Sequence, residues 1–327
     1  MRGFIRILIE RAFVTVLLAS TWVPAVQGQQ AYPAKAIRLV TPYPPGGGTS
    51  VVARVLGQKL TENWGQQVLV DNRGGGNTII GTELVAKSPP DGYTLILVVS
   101  TYVIVPSLIP TPYDVIKDFA PIAQVANSDY VLVIHPSIPA KNLKELIALA
   151  KARPGQLNYG STGAGGVQHL AGESLNMLVG IKMEHIPYKG SGQLLPALIG
   201  GHVDMSFQVP PASLPHIQAG RIRPIATGGR KRLPSLPDIP TFAEAGLRGL
   251  EVTTWFGILA PGATPQPIVH KLADELARII TTPEVKEKLQ SLGAEPFFSS
   301  SEEFAALLKS DMARYAKVIK AANIKAE

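Results

Sequence analysis

The sequence predicts an α/β protein in which two α/β domains share a ligand cleft, and three observations carry that expectation. The chain has 327 residues, 46% of them hydrophobic, which is long for one ordinary core and ample for two. Strand-like and helix-like segments alternate along it. Two glycine-rich turns, one in each half, each stand between a strand and a helix.

The first residues read as an export signal. Arg2, Arg6 and Arg11 form a basic start, and Ala12–Val26 then runs without a charge. A stretch of about 15 apolar residues has the length of a signal-peptide core and is short for a membrane span. Val26 and Gly28 suit the −3 and −1 positions of a cut after Gly28. Residues 1–28 are therefore expected to be a signal peptide; a retained membrane anchor is the alternative. The chain has no cysteine, which excludes disulfides, thiolate metal sites, thiol nucleophiles and a lipid-bearing cysteine. Its 31 basic and 24 acidic residues give +7. Without residues 1–28, which hold three Arg and Glu10, 28 basic and 23 acidic residues leave +5. Such a balance favours anionic ligands or is simply that of a mildly basic protein. The scattered Lys and Arg, with no aromatic-interleaved basic stripe, argue against nucleic acid.

The elements follow in order. Ala36–Pro42 reads as a buried strand, and Thr49–Trp64 as an amphipathic helix with Val52, Val55, Leu56 and Leu60 on one face. Gln67–Asn72 is a strand, Ile79–Ala86 a helix, and Asp91–Gly92 a turn into the strand Thr94–Val99. This βαβαβ order predicts a largely parallel sheet with helices on both faces. Asp118–Ala126 leads into the strand Tyr130–His135. A second unit follows, with helices at Leu143–Ala152, Val167–Val179 and about Gln193–Ile199, and strands at Leu157–Gly160, Met183–Pro187 and Val203–Gln208. The strand Thr253–Ala260 returns to the first unit. The helices Gln266–Thr281 and Glu302–Ala322 close the chain, with Pro283 and Pro296 as punctuation. The expected domains are 29–126 with 252–327, and 127–251.

The two turns are Pro42–Ser50 (PYPPGGGTS) and Gly160–Gly166 (GSTGAGG). Glycine permits positive φ and close approach to the main chain. Thr49, Ser50 or Ser161 is positioned to cap the following helix. The free N–H groups and positive dipole end of such a helix attract an anion. A helix terminus contributes roughly 0.3–2 kcal/mol toward an anion, and each hydrogen bond to a charged group roughly 1.5–3 kcal/mol. Four or five contacts reach the roughly 8 kcal/mol of micromolar binding, before ordering costs are subtracted. Either turn alone could be only a tight connection; two at matching places point to a shared ligand.

Rival motifs fail at identifiable positions. The first turn lacks the Gly-Lys-Ser/Thr ending of a P-loop. In the second, Gln168 stands where a dinucleotide turn needs glycine, and Tyr159 stands where a GxSxG nucleophile elbow needs glycine. His169 and Glu173 share a helix face without an HExxH pattern, so His169 reads as a helix-start residue with local hydrogen bonds rather than a metal ligand, and it stands with Asp204 among the candidate ligand-binding residues. Asp204, at a strand end, either faces the cleft or caps a turn. Neither a metal nor a cofactor is expected, and no catalytic residue.

Six stretches together resemble the tripartite tricarboxylate transporter substrate-binding (Bug receptor) family: Thr41–Leu56, Asp71–Leu95, Asn158–Glu173, His185–Gly192, Asp238–Gly246 and Trp255–Pro265. The resemblance implies a type II periplasmic binding protein fold and a periplasmic monomer that takes up a small organic carboxylate and delivers it to membrane subunits. It implies that Tyr43, Pro45, Gly46, Gly47, Gly48, Thr49 and Ser50 in the first loop grip one ligand carboxylate together with Ser161, Thr162, Gly163, Ala164 and Gly165 in the second. Ser100 and Thr101 are expected to line the same cleft. The family's first loop usually carries Asp where this chain has Ser50, and Ser100–Leu108 departs from the usual pattern. Ser50 supplies no negative charge, which implies weaker support for amino-acid ligands and none lost for simple carboxylates. Two other readings remain open: a sensor component that presents the closed form to a signalling partner, and an exported hydrolase using Ser161 and His169, for which no third orienting group is apparent.

Overall fold

A computed structural model describes residues 32–321 and Ile324; residues 1–28 and Ala322 lie outside the described residues. Lys35–Glu327 form one compact unit containing two β-sheets. Among the described residues the first sheet has six strands and the second five.

In the first sheet, β1 (Ile37–Thr41) lies between β2 (Val68–Asn72) and β3 (Thr94–Val99) and pairs with both in parallel. Helix α1 (Gly48–Trp64) joins β1 to β2, and α2 (Ile79–Ala86) joins β2 to β3. The rest of the sheet is antiparallel: β10 (Thr253–Pro261) pairs with β3 and with β4 (Phe119–Asp129), and β11 (Glu295–Ser299) with β4. The expected largely parallel sheet is thus corrected to a mixed one. Its parallel half is the part built from successive βαβ units; β10 and β11 come back from distant sequence and run the other way.

The second sheet has the same mixture. β6 (Asn158–Ser161) is parallel to β7 (Glu184–Pro187) and β8 (Met205–Gln208), and β5 (Val131–Ile134) is antiparallel to β8 and β9 (Arg223–Thr227). The four residues of β5 are all fully buried because Leu132 and Ile134 face one core while Val131 and Val133 face another. A strand covered on both faces loses the polar alternation of a half-exposed one.

Further helices are α3 (Thr101–Ile104), α4 (Leu143–Ala152), α5 (Val167–Val179), α6 (Ser191–Ile199), α7 (Pro210–Gln218), α8 (Gln266–Thr281), α9 (Pro283–Ser291) and α10 (Ser301–Ala321). Pro283 does not interrupt the chain; it opens α9, with Thr282 as its cap accepting from the Val285 N–H. Pro210 opens α7 in the same way. Proline fits a first helical turn because the N–H it lacks has no intrahelical partner there. These helices, with β9 and β11, are elements that the hydrophobic pattern alone does not bring out.

The chain crosses between the sheets at Tyr130, between β4 and β5, and at Val252, before β10. The crossings are tied together. Tyr130 N–H donates to Val252 O at 2.9 Å, Gly228 N–H to Tyr130 O at 2.7 Å, and Val252 N–H to Gly228 O at 3.0 Å. These bonds tie the two strand connections to one another.

Candidate functional site

The first glycine turn follows the C-terminal end of β1 and the second that of β6, so both meet where their parallel strands end. In open α/β sheets that edge is where ligands bind. Between them lies a cavity of about 30 Å³ lined by Tyr43, Gly47, Gly48, Thr49, Thr101 and Thr162. Val99, Tyr130, Gln168, Ser191, Val209 and Phe256 complete the wall. That volume holds roughly two waters.

Three helices begin at this cavity: α1 through Gly48 and Thr49, α5 through Gln168, and α6 through Ser191. None carries a side-chain cap; the cap residues are Gly47, Gly166 and Gly190. This corrects the expectation that Thr49, Ser50 or Ser161 caps a helix. The physical consequence favours an anion, since an uncapped first turn keeps its N–H donors available. No charged side chain lines the cavity among the described residues. The phenols of Tyr43 and Tyr130 stay neutral: burial pushes both far above the ordinary tyrosine range, opposed in part by hydrogen bonds with Thr101 and Thr254 respectively.

The lobes touch through the loops themselves. Gly48 lies so close to Val209 that a Cβ there would stand 2.6 Å from its Cγ2. Gly163, at φ +138°, faces Asn77, which occupies the space any side chain would need. Asn77 donates to Ala164 O at 3.2 Å. It belongs to the loop after β2, with Asn77 and Thr78 both at positive φ (51° and 79°). Asn77 is not among the residues expected from the sequence; its signal is the glycine run Gly74–Gly76, which frees the backbone for that bend.

The other expected residues divide clearly. Ser50 is fully buried under the first loop, where the Asn72 amide donates to its hydroxyl, to Thr41 Oγ1 and to the Tyr43 carbonyl. Pro45 and Gly46 turn outward and are exposed. Ser100 is buried behind the cleft, its Oγ 2.7 Å from Thr254 Oγ1. Ala164 and Gly165 pack in the second loop, against Asn77 and Leu108. Asp204 is not brought to the cleft. It stands at the start of β8, opposite the ligand-facing end, where its carboxylate accepts from Asn158 N at 2.8 Å and its own N–H donates to Asn158 Oδ1 at 3.0 Å. It fastens two parallel strands at their origin. Gln168 and Ser191 were missed. Gln168 Oε1 accepts from the Thr162 N–H and hydroxyl, holding the second loop from the first turn of α5.

Residues 52–324 match the family described as "Tripartite tricarboxylate transporter family receptor". The chain belongs to this family. Solved relatives place the receptor's fold. The periplasmic binding protein BugD is 32% identical, with a TM-score of 0.86, 90% of this chain and 100% of that one covered. Rpa4515 of R. palustris, with adipate, is 35% identical, TM-score 0.88, with 90% and 100% covered. MatC from Rhodopseudomonas palustris, with malate, is 30% identical, TM-score 0.83, with 88% and 100% covered. The receptor therefore has the two-lobed type II periplasmic binding protein fold, and its relatives are solute-binding proteins rather than enzymes. No helix among its described residues is long and apolar enough to cross a membrane, and no cluster of three or more His, Cys, Asp or Glu suited to a metal occurs among them.

Proposed function

We propose that this receptor captures a small organic carboxylate between its lobes, closes on it about the Tyr130–Val252 hinge, and presents it to the membrane subunits of a tripartite transporter. The observation that carries the reading is the convergence of the three uncapped helix starts on one cavity without a charged wall. A carboxylate placed there meets N–H donors, the positive ends of helix dipoles and neutral hydroxyls, a set that holds an anion and needs no arginine. The adipate and malate of the similar proteins are in keeping with it.

In this reading Gly47, Gly48 and Thr49 contact the carboxylate from one lobe, Thr162, Gln168 and Ser191 from the other, and Tyr43 and Thr101 add hydroxyls. Val99, Val209 and Phe256 supply an apolar wall for the rest of the ligand. A space of about 30 Å³ is far smaller than adipate, so entry requires the lobes to separate, and contacts made from both sides favour reclosure. Residues 1–28 act as the export signal, leaving a periplasmic monomer.

A thermal-shift panel of adipate, malate, citrate, benzoate and nicotinate tests the reading. At about 100 times Kd a ligand specific to the native state adds roughly 2.7 kcal/mol, a rise of several degrees. A panel without any shift, repeated by calorimetry without heat of binding, overturns the carboxylate assignment.

A further inference from the structure

Beneath the second loop lies a polar stack whose side chains do not line the cavity. The rings of His169, on α5, and His185, on β7, are parallel within 6° with centroids 3.9 Å apart. Tyr159, on β6, stacks on the other side of His185 at 5.1 Å, and its hydroxyl donates to Glu173 at 2.6 Å. Each imidazole holds one point of the loop above. His169 Nδ1 accepts from the Gly165 N–H at 2.9 Å. His185 Nε2 is 2.7 Å from Ser161 Oγ. That hydroxyl also bridges its own loop, accepting from the Gly163 N–H at 3.1 Å and donating to the Gly163 carbonyl at 3.0 Å.

We propose that His169 and His185 are paired positioning residues that hold the loop Ser161–Gly166 in its ligand-gripping shape, and that both must be neutral to do so. The proposal rests on the carboxylate reading of the cleft. Its logic is the donor count. His169 Nδ1 accepts, so its proton sits on Nε2. Ser161 Oγ spends its one hydrogen on Gly163 O, so His185 serves it as an Nε2–H donor. Protonating His169 replaces the acceptor facing the Gly165 N–H with a second donor. Protonating either ring sets a cation on the face of its neighbour in a buried layer. Burial, together with the nearby His169, lowers His185 to about 4. The titratable groups around His185 are His169 and Glu173 from α5, Tyr159 from β6 and Glu184 on its own strand.

The requirement is separable from packing by conservative substitution. Glutamine offers an acceptor and a donor but does not titrate; phenylalanine keeps the ring and loses both. The probe is the panel acid that shifts the wild-type protein most, followed by calorimetry from pH 7.5 down to 3.5. His169→Phe and His185→Phe are expected to weaken binding about tenfold or more at pH 7.5, a loss of one well-made hydrogen bond or slightly more. His169→Gln is expected to stay within about threefold and, combined with His185→Gln, to lessen the loss of affinity that wild type shows toward pH 3.5. In the ligand-free protein the Gly165 amide, bonded to His169 Nδ1, should exchange slowly with solvent in wild type and in His169→Gln, a reading that stands even if a phenylalanine variant fails to fold. Phenylalanine variants that bind as wild type, or a Gly165 amide that exchanges freely in wild type, overturn the positioning roles and leave the carboxylate reading intact. Wild-type protein that binds no carboxylate overturns that reading instead, while the Gly165 amide still reports on the stack.

Discussion

The side-chain amide of Asn77 donates to the carbonyl of Ala164 at 3.2 Å, and this hydrogen bond crosses from the lobe of the first sheet to the lobe of the second. It is made by a residue at φ 51°, beside Thr78 at φ 79°. Non-glycine residues held there cost energy that the surrounding contacts must offset, and such strain concentrates where a structure has work to perform. Asn77 is thus placed to favour the closed arrangement. Asn77→Gly removes the bond and relieves the backbone, so it should weaken ligand binding about 2- to 12-fold without lowering Tm. Asn77→Ala loses the same bond and retains the strained backbone without asparagine's tolerance for it, so its Tm should fall as well. Calorimetry and thermal denaturation of both variants separate the two contributions.

Gly48 and Gly163 are two of the glycines at which the lobes pack directly against each other. A valine at 48 would drive into Val209, and one at 163 would meet Asn77 from a backbone at φ +138°. Both substitutions should abolish ligand binding, by a factor of a hundred or more at an order-of-magnitude level, since closure itself is blocked. Each lobe keeps its own core, so far-UV circular dichroism should be unchanged. Binding retained by both variants would remove the interlobe cleft as the site.

Two half-buried groups should pull the pH dependence of stability in opposite directions. His185 is lowered to about 4, mainly by burial. Between its ordinary value near 6.5 and about 4 the unfolded chain takes up a proton that the folded chain refuses, so stability falls as pH drops through that window. Asp129, at the end of β4 beside the hinge, is raised to about 6 by burial and by Glu251. It is protonated in the folded chain while already ionised in the unfolded one, so its contribution is lost as pH rises from about 4 through 6. The wild-type profile between pH 4 and 6.5 should be shallow because the two slopes oppose. Asp129→Asn should steepen the acid-side loss, and His185→Gln should reverse it into a gain. Chemical denaturation at half-unit pH steps provides the check.

Much of this arrangement is legible in the sequence because it follows local rules. Period-3.6 patterning marks α1, and the apolar run of β5 betrays a strand covered on both faces. The two glycine turns are visible because glycine is the residue their geometry demands. What the sequence conceals is long-range. The antiparallel half of each sheet depends on where β10 and β9 return, which no short-range pattern encodes. Gln168, Ser191 and Asn77 reach the cleft only because α5, α6 and the loop after β2 are brought together by the fold. Asp204 shows the converse: a carboxylate at a strand end suggests a cleft, but the end in question is the start of β8, where it accepts from the Asn158 N–H.

Asp311 joins α10 to β10. Its carboxylate accepts from Trp255 Nε1 at 2.8 Å and pairs with Arg314 at 2.9 Å, in a layer where Trp255 meets Phe304 edge to face. Asp311 is buried whereas the Arg314 side chain is more than half exposed, so the ion pair is screened and the indole bond matters more. Asp311→Ala leaves a buried indole N–H without its acceptor and should cost about 1–3 kcal/mol. Arg314→Ala should cost less than about 1 kcal/mol. A double-mutant cycle with Trp255→Phe should recover most of the Asp311 loss; additive effects would show that the indole bond is not the linkage.

Ser50 tests how far the first loop governs ligand choice. It stands under the loop, with Asn72 as its donor, rather than in the cavity wall. Ser50→Ala leaves the Asn72 amide with Thr41 and the Tyr43 carbonyl, so it should cost only about 1 kcal/mol of stability and leave carboxylate affinity nearly unchanged. Ser50→Asp introduces a carboxylate at this position. Its carboxylate also accepts from Asn72, but it brings a negative charge to the foot of α1, close to the N–H groups proposed to hold the ligand. Repulsion at that range should weaken simple monocarboxylates several-fold, while a ligand bearing an ammonium group loses less or gains. Isothermal titration with matched acid and amino-acid pairs measures the difference. A wild-type preference for the amino acids would overturn the link between Ser50 and simple carboxylates, and a Ser50→Asp variant with unaltered ratios would show that position 50 shapes the loop without choosing what it holds.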